Sequence, residues 1–122
     1  MERIEIKTAD GLVECNYAKN IFDLMDGLFR DMSRPLLMEI EFLLRPITIS
    51  TKKREKYVLP ELTILTFNKE RRLVRRMDKL REGLRIPMTF DEKYVLEIPS
   101  NTNGLKNIET LEFRKIKDIK KQ

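Results

Sequence analysis

The 122-residue chain carries 25 Lys and Arg against 20 Asp and Glu, a formal net charge of +5, and contains no histidine. At this length we expect one globular domain over residues 1–116, followed by a basic, frayed tail over residues 117–122. The lack of histidine excludes His-based acid–base catalysis, the usual serine and cysteine triads, and most zinc, copper and non-haem iron sites.

The composition also sets expectations for location and redox state. Hydrophobic residues make up 41% and charged residues 37% of the chain, as in a soluble protein with a heavily charged surface of thermophile-like composition. No apolar run approaches the roughly 20 residues that cross a bilayer, so a cytoplasmic location is expected. The single cysteine, Cys15, has no neighbouring cation to activate its thiol, which predicts a structural role.

The chain is predicted to open with a β-hairpin. Residues 3–7 alternate charged side chains with isoleucines, the period of two that is typical of a strand, and Asp10 and Gly11 form a turn sequence. Asn20 is a suitable N-cap, and apolar residues recur after it at helical spacing up to Arg30. The sequence therefore predicts one short amphipathic helix near residues 20–30.

The middle of the chain is predicted to form strands. Residues 36–44 alternate apolar side chains with Glu39 and Glu41, which indicates one apolar and one acidic face. Residues 62–67 are apolar or β-branched at every position, as in a central strand that is covered on both faces.

Residues 68–83 fit two alternatives. As a helix, the segment has Asn68 as its cap, apolar residues at helical spacing and Gly83 near its end. As a hairpin, it has residues 68–71 as the turn and residues 73–77 as the returning strand. Local propensity alone favours the helix.

The last part of the chain is predicted to contain two strands joined by a polar corner. Tyr94, Leu96 and Ile98 alternate with Val95 and Glu97, and Pro99 ends the strand. A returning strand follows the corner and alternates apolar with charged residues. The pair is therefore expected to bury one side only.

Three motifs, taken in order, carry a family resemblance. The first is Gly-Leu-Phe-Arg at residues 27–30, the second is a proline before the apolar strand at residues 62–67, and the third is Tyr-Val-Leu-Glu at residues 94–97 with a small-residue corner after it. In this order they resemble a widespread family of small domains, catalogued as domain of unknown function number 192. The family-matched positions are Gly27, Leu28, Arg30, Pro60, Tyr94, Leu96, Glu97 and Gly104.

The resemblance implies an architecture. It implies a mainly β fold, a compact antiparallel β-sandwich or pseudo-barrel with one short amphipathic helix near residues 20–30, and it favours the hairpin for residues 68–74. The chain departs from the family at its central motif, where the family's Asp is absent and its polar and aromatic cluster has no counterpart in residues 50–56. No activity is established for the family.

Acidic pairs are the first candidate for chemistry. Asp23 with Asp26 on the predicted helix, and Glu39 with Glu41 on the predicted strand, are more often the solvated side of an amphipathic element than a catalytic or metal site. No phosphate-binding loop or dinucleotide-binding fingerprint occurs. We therefore predict no catalytic residues, no bound metal and no cofactor.

The sharper signal is the segregation of charge in residues 69–85. The basic residues of this segment exceed its acidic residues by five, which equals the net charge of the whole chain. Such a concentration is expected of a surface that contacts phosphates or other polyanions, although no aromatic residue is interleaved for base stacking. The more common origin of such a segment is a basic, solvated hairpin or helix in a protein of thermophile-like composition. The candidate polyanion-binding residues are Lys69, Arg71, Arg72, Arg75, Arg76, Lys79, Arg81 and Arg85.

Two functional hypotheses follow from the sequence. The first is a non-catalytic binding or protein-interaction module for an unknown small ligand or protein partner, a monomer or weak homodimer, with Arg30 and Tyr94 as the family-matched polar positions nearest its surface. The alternative is nucleic-acid binding through residues 69–85. An enzyme is disfavoured because no nucleophile lies beside a base.

Overall fold

The computed structural model describes residues 2–19, 34–40, 48–50, 62–80, 85–99, 102 and 104–116. Within these residues there are nine strands and no helix. The strands are β1 (Glu2–Thr8), β2 (Gly11–Ala18), β3 (Leu36–Glu39), β4 (Thr48–Ser50), β5 (Leu62–Phe67), β6 (Leu73–Leu80), β7 (Arg85–Pro87), β8 (Tyr94–Pro99) and β9 (Phe113–Lys115). The helix predicted near residues 20–30 and the tail over residues 117–122 lie outside the described residues. In the described ranges no helix is long and apolar enough to span a membrane.

Seven of these strands form one sheet in the order β6-β5-β8-β3-β2-β1-β9, and β4 pairs with β7 separately. The fold is mainly β, as predicted, but the sheet is mixed rather than antiparallel because β2 and β3 run parallel. Parallel neighbours cannot be joined by a tight turn, and a local sequence pattern does not reveal such pairings. The sheet is also not closed into a barrel.

Residues 109–115 connect the two edges of this open sheet at one end. The Leu73 amide donates to the Glu109 carbonyl over 2.8 Å, and the Leu111 amide donates to the Arg71 carbonyl over 2.7 Å. Further along, β9 pairs with β1. The same short segment therefore bonds to β6 at one end of the sheet order and forms β9 at the other.

Both predicted hairpins are present. β1 and β2 pair from Glu2↔Tyr17 to Thr8↔Gly11, and Gly11 closes the turn at a φ of 128° that favours glycine. β5 and β6 form the second hairpin, in which the Arg72 amide donates to the Asn68 side-chain oxygen over 2.9 Å. The helical alternative for this segment is therefore wrong through residue 80, because strand pairing overrides local propensity.

The two faces of the sheet carry separate apolar clusters. The first core contains Ile4, Ile6, Cys15, Tyr17, Leu37, Leu65, Phe67, Tyr94, Leu96, Ile98, Leu105 and Leu111. The second core contains Ala18, Leu36, Met38, Ile40, Ile64, Met88 and Val95. Every residue of β5 is buried, which confirms the prediction of a central strand covered on both faces.

The end of the chain differs from the prediction in two respects. All six residues of β8 are buried, so this strand buries both faces rather than one. Its neighbours are β3 and β5, whereas β9 pairs with β1. The two strands are consecutive in sequence but are not partners, because sheet order is set by packing between distant segments.

β3 also departs from its expected amphipathic pattern. The four residues of β3 are all buried, and Glu39, which was expected on a solvated face, is 9% exposed. Glu41 lies outside the described residues. Leu37 packs into the first core while Leu36 and Met38 pack into the second, so both faces of β3 are covered.

Glu97 is a carboxyl group placed inside the second core. It is 3% exposed, pairs with Ile64 on β5 and Leu36 on β3, and its Oε1 atom has no hydrogen-bond partner among the described residues. Burial raises the pKa of Glu97 to about 7 from an ordinary value of 4.5. The folded protein therefore favours the protonated carboxyl.

We predict that Glu97→Gln stabilises the protein above neutral pH and has little effect near pH 4.5. The unfolded chain loses this proton near pH 4.5 and the folded chain near pH 7, so wild-type stability falls between these values and the penalty is complete above pH 7. The expected gain at pH 8 is about 3 kcal/mol in the free energy of unfolding. Urea unfolding across this pH range measures it.

The matched control is Glu70→Gln, which makes the same chemical change at an exposed turn residue. We expect its effect to stay within about 0.5 kcal/mol at every pH. An equal pH response in the two variants would show that Glu97 is ionised without penalty in the folded state.

Candidate functional site

Three aromatic rings from distant strands meet at one end of the first core. The Tyr17 ring on β2 lies 5.7 Å from the Phe113 ring on β9, and the Tyr94 ring on β8 lies 6.0 Å from the Phe113 ring in an edge-on arrangement. Tyr17 and Tyr94 are buried, and Phe113 is partly buried. These rings form the floor of the candidate site.

The Arg71 side chain lies across this floor. Its guanidinium carbon is 4.3 Å from the centre of the Phe113 ring and 5.7 Å from the centre of the Tyr94 ring. A cation over an aromatic face gains about 0.5–2 kcal/mol, depending on how far water is excluded. The planar guanidinium is therefore held against the rings.

The backbone fixes the position of Arg71. Its φ is 64°, its amide donates to the Asn68 carbonyl over 2.9 Å, and its carbonyl accepts from the Leu111 amide over 2.7 Å. A positive φ at a residue other than glycine is uncommon and persists when the surrounding bonds require it. The turn between β5 and β6 thus aims Arg71 at the rings.

Lys93 is a second cation beside the same floor. Its Nζ atom is 5.6 Å from the centre of the Tyr94 ring. Its amide donates to the Phe67 carbonyl and its carbonyl accepts from the Ile40 amide, each over 2.8 Å. In the described part of the chain, no carboxylate forms an ion pair with Arg71 or Lys93 within 4.0 Å.

Glu39 is the carboxylate that the described residues place beside this floor. It pairs with Tyr94 across β3 and β8, its charge acts on the Tyr17 phenol, and the Lys19 Nζ atom lies 3.4 Å from its Oε2 atom. Burial, and then the charge of Glu39, raise the pKa of Tyr17, so this phenol stays protonated. We name the group formed by Tyr17, Glu39, Arg71, Lys93, Tyr94 and Phe113 the Tyr94 cluster.

The alternation of β6 separates the two central arginines of the predicted basic surface. Arg75 is half-buried, and its Nε and Nη2 atoms donate to the two carboxylate oxygens of Glu92 over 3.0 and 2.8 Å. It also donates to the Pro87 carbonyl over 3.1 Å. Arg76 is exposed and donates to Asp78 over 3.0 Å and to Asn107 over 3.2 Å.

Glu92 is the buried partner in this pair, with a side chain that is 0% exposed. Burial alone would raise the pKa of Glu92. Three influences lower it by more: the nearby Thr66 hydroxyl, hydrogen bonds from Thr89 and the charge of Arg75. The pKa of Glu92 therefore lies below its ordinary value. The Thr66 hydroxyl contributes by proximity, since it makes no hydrogen bond of good geometry in the part of the chain that the structure describes. Glu92 is thus ionised, and Arg75 is committed to it.

The remaining candidate basic residues are scattered. Lys69, Arg72 and Lys79 are exposed, and no carboxylate in the described residues pairs with them. Arg81 lies outside the described residues, and only the backbone of Arg85 is described, in β7. Of the eight candidates, the structure brings Arg71 into the Tyr94 cluster and Arg75 into a buried ion pair.

The family-matched positions also lie in different parts of the structure. Tyr94 belongs to the Tyr94 cluster, Leu96 lies in the first core and Glu97 in the second. Gly104 has a φ of 92°, and a Cβ atom there would lie 3.6 Å from the Thr8 hydroxyl. The positions outside the described residues are Gly27, Leu28, Arg30 and Pro60.

The other candidate groups do not assemble into a reactive centre. Asp23 and Asp26 lie outside the described residues, and the described part contains no group of three metal-ligating His, Cys, Asp or Glu side chains. Cys15 is buried, and burial, followed by the charge of Glu14, raises its thiol pKa to about 12. This agrees with the structural role expected for Cys15.

Sequence reasoning identified Tyr94 but missed the other members of the floor. Tyr17 and Phe113 carry no local signal, since each is simply an aromatic residue in a strand. Their distance in sequence from Tyr94 hid their proximity. The one available hint was the alternation that placed Phe113 on the apolar side of the last strand.

The fold is shared with two solved bacterial proteins. A protein of unknown function from Novosphingobium aromaticivorans is 16% identical, with a TM-score of 0.58 over 92% of this chain and 83% of the other. A "putative transcription regulator" from Sinorhizobium meliloti is 18% identical, with a TM-score of 0.59 over 93% of this chain and 92% of the other. At these identities the likeness shows the fold alone.

Sequence comparisons add no further assignment. No protein-family model matches the chain. No curated protein matches it either.

We predict that Arg75→Ala lowers the free energy of unfolding by roughly 2 kcal/mol. Removing one partner of a fully buried pair costs about 3–5 kcal/mol, and the partial exposure of Arg75 reduces this loss. The control is Arg76→Ala, which breaks an exposed ion pair and should cost under about 1 kcal/mol. Denaturant unfolding of both variants at pH 7 makes the comparison. Equal losses would mean that Glu92 finds another partner or water.

Proposed function

We propose that this chain is a non-catalytic binding module, a divergent member of the domain of unknown function 192 family, that holds a small organic anion at the Tyr94 cluster. The observation that carries this proposal is the position of Arg71 and Lys93. Both cations lie within 6 Å of the Tyr94 ring, and neither has a carboxylate partner in the described part of the chain. The ligand expected there carries a carboxylate or a phosphate.

Arg71 is suited to this role by its geometry. The guanidinium carbon of Arg71 lies 4.3 Å from the centre of the Phe113 ring, and no carboxylate in the described residues pairs with Arg71, so its N–H groups remain able to bind a ligand. A planar guanidinium binds a carboxylate or phosphate through two parallel hydrogen bonds, and less entropy is lost when the group is already held in place. The fixed turn at Arg71 therefore favours a two-point contact.

The surroundings strengthen such a contact. Aromatic rings exclude water and lower the local dielectric, so a charge-assisted hydrogen bond gains strength. Glu39 would repel an anion if its charge were unpaired, but the Lys19 ammonium lies 3.4 Å from its carboxylate and offsets that charge. The floor thus favours a ligand with an apolar part beside its anionic group.

The absence of histidine from the sequence and the unreactive state of Cys15 support a non-catalytic role. A thiol with a raised pKa stays protonated at neutral pH and is a poor nucleophile. Membership in the family is supported by Tyr94, Leu96, Glu97 and Gly104, which lie in β8 and in the corner that follows it.

We predict that Arg71→Gln weakens binding of a small aromatic carboxylate or phosphate by about tenfold or more. A hydrogen bond to a charged group contributes about 1.5–3 kcal/mol, and glutamine retains length and polarity without charge. Benzoate and phenyl phosphate are suitable probes. Amide chemical shifts of residues 71, 93, 94 and 113 locate the site, and titration gives the affinity.

Two variants distinguish position from charge. Arg71→Lys keeps the charge but loses the planar donor edge, so it should recover only part of the affinity. Arg72→Gln removes the neighbouring exposed charge, which contacts no ring in the described residues, and should leave affinity nearly unchanged. If Arg72→Gln weakens binding as much as Arg71→Gln, the Tyr94 cluster is not the site.

Nucleic-acid binding is the second candidate. Lys69, Arg72 and Lys79 are exposed on the β5–β6 hairpin without a carboxylate partner in the described residues, as phosphate-contacting side chains need to be. The similar fold of the protein described as a "putative transcription regulator" gives this candidate a precedent at the level of fold only.

For this candidate we predict that Arg72→Gln with Lys79→Asn flattens the dependence of oligonucleotide affinity on salt. Removal of each phosphate-binding cation should reduce the slope of log affinity against log salt by about one, so the double variant should change it by about two. Asparagine suits position 79, where φ is 54°. Fluorescence anisotropy with single-stranded, duplex and RNA probes across a salt series is the measurement. An unchanged slope would remove the β5–β6 hairpin as the contact surface.

A further inference from the structure

β6 forms one edge of the seven-stranded sheet. Within the described residues, its outer side is occupied at its beginning only, where residues 109–111 bond to Arg71 and Leu73 and Thr110 bridges to Arg72. Within the described chain, the backbone of residues 74–80 hydrogen-bonds to β5 and to no other strand. These residues present the open edge of β6.

The centre of this edge is regular and firmly supported. Thr66↔Arg75, Leu65↔Arg76 and Ile64↔Met77 pair in register, and irregularities occur only toward the two ends. The Thr63 hydroxyl donates to Asp78 over 3.1 Å, and Arg76 bonds to both Asp78 and Asn107. A second strand would therefore meet an ordered backbone with ordered side chains.

The charges along β6 indicate which charge a docking strand would carry. Of the exposed side chains Arg72, Val74, Arg76, Asp78 and Lys79, three are cationic, and the one carboxylate is already bonded to Arg76. A second copy of β6 would bring another strand of net positive charge beside the first, and an excess of like charge across paired strands is destabilising. An acidic extended segment has the complementary charge.

Backbone chemistry favours a peptide over a nucleic acid at this edge. An open strand edge offers alternating donors and acceptors, and a peptide satisfies both while phosphate oxygens only accept. Val74 is 43% exposed and suits an apolar neighbour. Asp78 would repel phosphate, and no exposed aromatic side chain lies in β6 for base stacking.

We propose that the open edge of β6 is a docking site for an extended acidic segment of a partner protein, which binds by adding a strand to the sheet. The site is distinct from the anion site of the Tyr94 cluster. Strand addition obtains affinity from main-chain hydrogen bonds and specificity from alternate side chains. The positive φ of Lys79, at 54°, ends the regular edge and limits the partner to residues 74–78.

The test uses the whole chain, labelled with ¹⁵N, and a short capped peptide of alternating glutamate and valine. We expect amide shifts and slowed hydrogen exchange confined to residues 74–78 of the protein. Arg72→Glu with Lys79→Asp should weaken peptide binding roughly fivefold or more, since two exposed charge contacts become repulsive. The matched control Lys69→Glu reverses an exposed charge in the turn outside β6 and should change affinity by less than about twofold.

Two further peptides separate strand pairing from charge alone. A lysine–valine peptide should not bind. A glutamate–valine peptide with N-methyl groups on every second backbone nitrogen keeps its charge but loses the donors of one edge, so it should bind only weakly. If the N-methylated peptide binds as tightly as its parent, strand addition is excluded.

Two other outcomes would also overturn the proposal. Concentration-dependent dimerisation with protection of residues 74–78 in the absence of peptide would assign the edge to a second copy of this chain. Displacement of the acidic peptide from residues 74–78 by a duplex or single-stranded oligonucleotide with tighter affinity would assign the edge to nucleic acid.

Discussion

The pairing of β5 with β8 is the constraint on which the rest of the structure depends. Both strands are buried along their whole length, and they pair from Leu62↔Pro99 to Phe67↔Tyr94. Since successive side chains point to opposite faces, this register sends one set of residues to the first core and the other to the second. A slip by one residue would move each set of side chains to the opposite core. Because both faces are buried, no side chain could make that exchange without a loss of packing.

The same register explains the buried polar groups. Thr66 and Glu97 follow the alternation that places Ile64 and Val95 in the second core; the Thr66 hydroxyl lies near the Glu92 carboxylate, whereas the Glu97 carboxyl enters apolar surroundings. A carboxyl in that position tolerates burial by remaining protonated. Glu97 therefore couples the stability of the sheet to pH, because the strand pattern places its carboxyl in the core.

The two edges of the sheet are organised by the segment that links them. Residues 109–115 bond to the start of β6 and to β1, and this brings Phe113 against Tyr94 and under Arg71. A surface that combines rigid strands with a fixed turn is well suited to hold a ligand, because little side-chain freedom is lost on binding. Successive side chains of β6 point to opposite faces, and this separates its two central arginines. Arg75 neutralises a buried carboxylate, while its neighbour Arg76 remains at the surface.

The amino-acid sequence by itself determined the local features of this protein: its β class, the β1–β2 hairpin, the doubly covered β5 and the unreactive Cys15. These features follow from the two-residue repeat of side-chain direction in a strand, from turn residues and from flanking charges, all of which act over a few neighbouring residues. The choice of a hairpin for β5–β6 needed the family resemblance, because local propensity favoured a helix. Tertiary structure alone decided the parallel pairing of β2 with β3, the pairing of β9 with β1, the burial of Glu39 and Glu97, and the meeting of Tyr17, Tyr94 and Phe113. The physical reason is that strand order is chosen by packing between segments far apart in the chain, and no local pattern records which partner a strand will have.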